Sequence, residues 1–313
     1  MARSTASSTA PDAPIAGVSG RPVFLHLLLS LRPGQWTKNL LVFAGLLFGQ
    51  RLVDPGAIVR ALGAFAIFCA LSGAVYLIND VLDRESDRRH PLKRARPIAS
   101  GALPVSAALA AAAILSGGAL LASMTLGGSF TLVAAAYLGL LALYSASLKN
   151  IVIIDVLTIA IGFVLRAVAG AVAVDVQISR WLFVCTILLA LFIALAKRRH
   201  ELVLLAGDAP GHRAILREYS PYLLDQMIAV VTASTLISYA LYTTSPDTVL
   251  KFGTSRLDLT IPFPLYGIFR YLYLVHQREG GGSPADLLLT DRPLLVCVAL
   301  WAFAVALIIY RPF

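Results

Sequence analysis

Long apolar runs separated by short polar breaks fill the chain from residue 23 almost to its end. The spacing predicts about nine membrane-spanning helices, at roughly 36–50, 57–79, 104–124, 129–148, 151–173, 181–197, 222–244, 258–276 and 293–311. Most approach the ~20 apolar residues that cross a bilayer. The first is short, and the eighth opens on "IPFP". The runs are continuous and lack the apolar–polar alternation of a barrel strand, so the spanning form is helical. Turn sequences such as "VDPG" and "LGGS" punctuate them. "VFLHLLLSL" (23–31) is too short to span and is broken by "RPGQW", which predicts an elbow lying in the membrane interface. Residues 1–20 are small and polar with no apolar centre, and so predict a disordered tail, not a signal peptide. Residues 21–313 then form a single all-α integral-membrane domain, a polytopic helix bundle.

Composition agrees. Hydrophobic residues make up 58% of the chain and charged residues 14%, against about a quarter charged in soluble domains. Mean hydropathy is +0.80. The net charge of +9 does not point to nucleic acid in a chain of this kind; basic residues first serve topology, through their excess on the cytoplasmic side. With the N-terminus inside, the inner loops carry the bases of residues 84–96, Lys149, Lys197, Arg198, Arg199, Arg213, Arg217, Arg278 and Arg292. The outer side carries only Arg51, Arg60, Arg180, Lys251, Arg256 and Arg311. This asymmetry predicts a multi-pass protein of the inner (plasma) membrane with a cytoplasmic N-terminus. Cys69, Cys185 and Cys297 share no short spacing and read as small apolar packing residues. Oligomeric state leaves no signal in the pattern.

One stretch breaks the apolar rule. "VYLINDVLDRESDRRHPLKRARPIASG" (75–101) follows the second span and mixes acids with bases on the cytoplasmic side. If the helix continues through residue 87, the 100° step places Asn79, Asp80, Asp83 and Asp87 within an arc of about 100°, while Glu85 points away at about 240°. Carboxylates so close repel unless something neutralises them. Hard oxygen ligands suit Mg²⁺, which is commonly shared with substrate phosphates. Lys93, Arg94 and Arg96, with Arg88 and Arg89, would complement the rest of a polyphosphate's charge. The competing reading is a solvated helix end with ordinary ion pairs and a basic inner loop. The order Asn-Asp-x-x-Asp-x-x-x-Asp directly after a membrane span favours the Mg²⁺–diphosphate site.

A second cytoplasmic end carries "ALAKRRHEL" (194–202), where Lys197 and Glu201 form an i,i+4 pair beside Arg198 and His200. It reads as a helix-end salt bridge or as a phosphate-binding cluster; one acid is too few for a second metal site. Arg166 lies in the same span as Asp155 but about 16 Å deeper. An intramembrane arginine marks either function or a structural ion pair. Lys38 in "RPGQWTKN" either snorkels to headgroups or reaches the site mouth. Tyr144 and Lys149 close the fourth span on the same side.

These residues resemble the first aspartate motif of the UbiA superfamily of intramembrane prenyltransferases, at Asn79, Asp80, Asp83 and Asp87, and the likeness extends over nearly all of 21–313. Within it, "RPGQWTKN", "LRAVAG", "AKRRHEL", "DLLLTDR" and above all the run through "HPLKRARPI" are similar to the decaprenyl-phosphate phosphoribosyltransferase branch. The resemblance implies that a polyprenyl phosphate attacks C1 of 5-phosphoribosyl diphosphate (PRPP) and releases diphosphate, toward arabinose donor synthesis for the cell envelope. It implies Asp80, Asp83 and Asp87, helped by Asn79, as holders of Mg²⁺. Lys93, Arg94 and Arg96 would bind donor phosphates, and Lys38, Lys197 and Arg198 donor or acceptor phosphate. Tyr144, Lys149 and Glu201 would place ribose or phosphate.

Two alternatives stand beside this. A prenyltransferase acting on an aromatic acceptor needs the same first motif but calls for an acid pair where this chain has "KRRHE". A transporter would show internal repeats and helices broken near the midplane, and no repeat is evident.

Overall fold

The computed structural model describes residues 22–90, 93–204, 214–277, 287 and 290–310. The predicted tail 1–20, the topological bases Arg213, Arg278 and Arg311, and part of "DLLLTDR" lie outside the described residues. Every regular element among the described residues is helical. In order these are α1 (Val23–Ser30), α2 (Ala44–Phe48), α3 (Pro55–Leu82), α4 (Arg84–Arg89), α5 (Pro97–Ser100), α6 (Val105–Ser123) and α7 (Gly128–Ala146). They continue with α8 (Ile154–Ala173), α9 (Arg180–Leu204), α10 (Pro221–Thr244), α11 (Pro246–Phe252), α12 (Pro262–Gln277) and α13 (Arg292–Tyr310). Short 3-10 turns link several of them.

Seven of these helices, α3, α6, α7, α8, α9, α10 and α13, are long and apolar enough to cross a membrane among the described residues. The remaining two of the expected nine spans take other forms. Residues 36–50 fold as a 3-10 stretch, Pro33–Phe43, running into the short α2. A proline at its start and a tight packing constraint account for this. A Cβ on Gly170 of α8 would lie 1.9 Å from the Val42 carbonyl oxygen, and one on Gly45 would lie 2.8 Å from the Gly170 carbonyl. The segment is pressed backbone to backbone against α8, which only glycine permits. The eighth span starts late because Pro262 and Pro264 are tolerated only in a first turn. The 16 residues of α12 rise about 24 Å, short of the ~30 Å hydrocarbon core.

Helix starts follow local chemistry. Asp54 caps α3, its Oδ1 accepting from the amides of Gly56 (2.9 Å) and Ala57 (3.2 Å), with Pro55 in the first turn. Those amide bonds hold the Asp54 carboxyl below the usual range. Ser220 caps α10 in the same way.

Helix α3 is central. Its small residues Ala61, Ala64 and Ala74 are fully buried, letting neighbours approach closely. Ala74 and Leu77 pack on Ala108 and Ala112 of α6, and Phe68 meets Phe130 and Tyr137 of α7. A second apolar cluster joins α8, α9, α10, α12 and α13 through residues such as Phe192, Leu224 and Tyr271. Between the two halves lies a cavity of about 2070 Å³. The three cysteines are buried and unpaired.

Candidate functional site

The charged stretch begins where α3 stops. Its helix does not run unbroken through residue 87: α3 ends at Leu82, Asp83 sits at the junction (φ −89, ψ 5), and α4 starts at Arg84. Backbone bonds from Asp83 N to Asn79 O (2.9 Å) and from Asp87 N to Asp83 O (2.8 Å) bridge the break, so the helical spacing survives it. Asp80 and Asp87 therefore turn inward, both 2% exposed. Arg96 Nη1 donates to both, at 3.1 Å to Asp80 and 2.6 Å to Asp87. Asp83 accepts from Lys149 Nζ at 2.8 Å and from Asn79 Nδ2 at 3.0 Å. Glu85 points away, exposed, and pairs with Arg88 at 3.2 Å. Arg94 is exposed and Lys93 half-buried.

Sequence reasoning missed Arg32. It donates to Asp80 and lies 4.9 Å over the Tyr76 ring. A left-handed backbone (φ 53) at the break before Pro33 aims it there; its position next to that proline was the one available signal.

The carboxylate chemistry suits a hard divalent cation. Among the described residues, however, no group of three acidic, His or Cys side chains converges as a metal cage. Each carboxylate is instead balanced by a base: Asp80 by Arg32 and Arg96, Asp87 by Arg96, Asp83 by Lys149. These residues fit Mg²⁺ by donor type, provided that Arg96 or Lys149 releases its carboxylate to the ion.

The second motif lies on α9. Lys197 and Glu201 pair loosely, at 3.7 Å. Arg198 is 2% exposed; its Nε donates to Asp155 Oδ2 at 2.7 Å and its Nη1 to Glu201 Oε2 at 2.6 Å. Asp155 is fully buried and also accepts from the Tyr219 hydroxyl at 2.8 Å. Burial pushes the Tyr219 phenol up to about 12, so it stays a donor at neutral pH. Neither Tyr219 nor the Arg199 partner Asp225 stood out in sequence, because each pairing joins elements far apart in the chain.

The C-terminal end of α7 ties the two motifs together. Tyr144 on α7 accepts from Arg198 Nη2 at 3.3 Å, and Lys149 just beyond it holds Asp83. Both charged clusters thus sit at one end of the bundle, where Arg32, Lys38, Asn79, Tyr144, Lys197 and Arg198 line the mouth of the cavity. Away from that mouth the walls are largely Leu, Ile, Val and Phe from α2, α8, α9, α12 and α13. Arg166 lies deeper and does not touch Asp155; it bonds Asn39, Gly162 and Tyr137.

Comparison with known proteins follows the same lines. A decaprenyl-phosphate phosphoribosyltransferase of Corynebacterium glutamicum is 34% identical over 298 residues, covering 91% of this chain and 86% of that protein. One of Mycolicibacterium smegmatis is 33% identical, covering 91% of this chain and 92% of that protein. Among solved structures, a UbiA homolog from Archaeoglobus fulgidus bound to GPP and Mg²⁺ shares the fold, with a TM-score of 0.69 at 20% identity over 91% of this chain and 99% of the other. Residues 39–289 match the pattern of the UbiA prenyltransferase family. The family pattern over residues 39–289 and the 34% identity to the Corynebacterium protein over most of both chains show the same thing: this chain is a member of the UbiA prenyltransferase family.

Proposed function

We propose that this protein transfers phosphoribose from PRPP to a membrane polyprenyl phosphate such as decaprenyl phosphate, releasing diphosphate. The observation that carries this reading is the second cluster. Where an aromatic acceptor calls for an acid pair, Lys197 lines the cavity mouth, and the two acids nearby, Asp155 and Glu201, are both paired with Arg198. The names of the two bacterial relatives support the same substrates.

In this reading an acceptor phosphate oxygen attacks C1 of the ribose while the bond from C1 to the diphosphate oxygen breaks. The nucleophile is already anionic, so no strong general base is required. Asn79, Asp80, Asp83 and Asp87 are the residues to hold Mg²⁺, which would neutralise charge on the departing diphosphate. Lys93, Arg94 and Arg96 meet the donor phosphates by charge-assisted hydrogen bonds. Lys38 and Lys197 line the mouth to meet donor or acceptor phosphate, and Tyr144, Lys149 and Glu201 place ribose or phosphate. Fixing both reactants under one rim turns the encounter into an in-line displacement with little motion. The apolar walls take the lipid tail. The excess of bases at this end supports a mouth on the cytoplasmic face of the plasma membrane, and the product would serve arabinose donor synthesis for the envelope.

The test is label transfer by purified protein from radiolabelled PRPP to polyprenyl phosphate, with Mg²⁺ and with EDTA. Lipid-extractable label that vanishes with EDTA is the expected result. No transfer, together with consumption of polyprenyl diphosphate in the presence of an aromatic acid, would replace this reading by prenyl transfer.

A further inference from the structure

Arg166 is 7% exposed and sits on α8 inside the membrane-spanning bundle. Its Nε donates to Asn39 Oδ1 at 2.7 Å, its Nη1 to the Gly162 carbonyl at 2.9 Å and its Nη2 to the Tyr137 hydroxyl at 2.6 Å. The Tyr137 and Phe163 rings lie 4.8 and 5.1 Å from the guanidinium carbon. Every one of these partners is neutral. No carboxylate pairs with Arg166 among the described residues, whereas Arg198, also buried, has two. A cation inside a bilayer is costly and normally finds an anion.

The side chain turns back toward the N-terminal end of α8, where its bond to Gly162 holds it. That puts the charge roughly seven residues, or about 10 Å, below Asp155 at the rim. Arg166, Tyr137, Ser72 and Tyr76 all line the cavity wall there, and the guanidinium has N–H groups beyond the three bonds described. An anion carried to this depth would meet a counter-charge there, with apolar residues such as Leu141, Ile159 and Phe163 also lining the cavity.

We propose that Arg166 is the counter-charge for the phosphate monoester of the lipid acceptor, seated below the donor held at the rim. This rests on the phosphoribosyl-transfer reading. It assigns the anion to the lipid's headgroup, not to the 5-phosphate of PRPP, because a tail entering from the apolar walls brings its phosphate up from beneath.

Binding to purified full-length protein in detergent tests this, with farnesyl phosphate, farnesol and PRPP as probes. The wild type is expected to gain more thermal stability from farnesyl phosphate than from farnesol. Arg166→Gln should weaken farnesyl phosphate roughly tenfold to hundredfold, as loss of a charged hydrogen-bond donor does, with farnesol and PRPP binding kept. Arg166→Lys, which retains the charge, should keep most of the preference. Unchanged farnesyl phosphate binding in Arg166→Gln overturns the proposal. So does a loss confined to PRPP, or an equal loss of farnesol, which would mark a collapsed cavity. Should Arg166→Gln fail to fold, equal stabilisation of the wild type by farnesyl phosphate and farnesol overturns it. None of these arms requires turnover, so absence of label transfer with the phosphate preference intact would remove the proposed reaction and leave the anion site standing.

Discussion

Replacing Arg198 by alanine should unfold this protein more than it alters substrate handling. The guanidinium bridges Asp155, which is fully buried, and Glu201 on its own helix. Without it, Asp155 keeps, among the described residues, the Tyr219 hydroxyl as its donor side chain. Breaking a buried pair by removing one partner costs about 3–5 kcal/mol, since the stranded charge stays buried. Coulomb's law at an effective dielectric of ~20 gives a similar figure, about 4 kcal/mol for unit charges ~4 Å apart. Because the damage comes from an unpaired charge, removing both charges should be milder than the sum of the two single losses. Arg198→Ala, Asp155→Asn and the double variant therefore form a cycle, with an expected coupling energy of about 0.5–3 kcal/mol. Unfolding in mixed micelles, followed by tryptophan fluorescence, measures it. The alternative reading of "KRRHE" as a phosphate-binding cluster predicts instead a raised KM for a phosphorylated substrate. If Arg198→Ala unfolds like the wild type and only that KM moves, the buried-pair reasoning is wrong and the guanidinium serves a ligand.

Further outcomes follow from neighbouring geometry. Asp83→Ala should abolish turnover in a folded protein while Glu85→Ala stays within about twofold, its exposed ion pair being worth little; equal losses would show that the two carboxylates are not distinguished by helix face. Gly170→Ala drives a methyl into the Val42 carbonyl, so melting should report a loss of about 1–3 kcal/mol or more; an unchanged melting point would mean that the two backbones do not meet. Asp291 caps α13 through the Leu294 amide (2.9 Å) and pairs with Arg270 of α12 at 2.8 Å. Arg270 holds its carboxyl below the usual range. The stabilisation is thus present above the unfolded carboxylate's pKa of about 3.9 and is lost as pH falls through the lower folded value. A wild-type melting curve that drops in that window more than that of Asp291→Asn is expected, and parallel curves would remove the linkage.

Much of this protein was legible from order alone. Apolar run length specifies spanning helices, because hydrocarbon leaves backbone groups no partner outside the helix. The periodicity of residues 79–87 already separated Glu85 from Asp80, Asp83 and Asp87. That separation survives a real break at Asp83, because the backbone bonds across the break preserve the helical spacing. The clustering of charge at one end of the bundle was likewise a local property.

What the chain order did not carry is which charge answers which. Arg32 reaching Asp80, Lys149 reaching Asp83, and Tyr219 with Arg198 reaching Asp155 all join segments far apart in the chain. So does the contact between Gly170 and Val42 that displaces a regular first span. Short-range periodicity encodes which face a residue occupies, while partnership depends on how helices pack. Inside a low-dielectric bundle, that packing decides whether a buried charge meets carboxylates, as at Arg198, or neutral partners, as at Arg166.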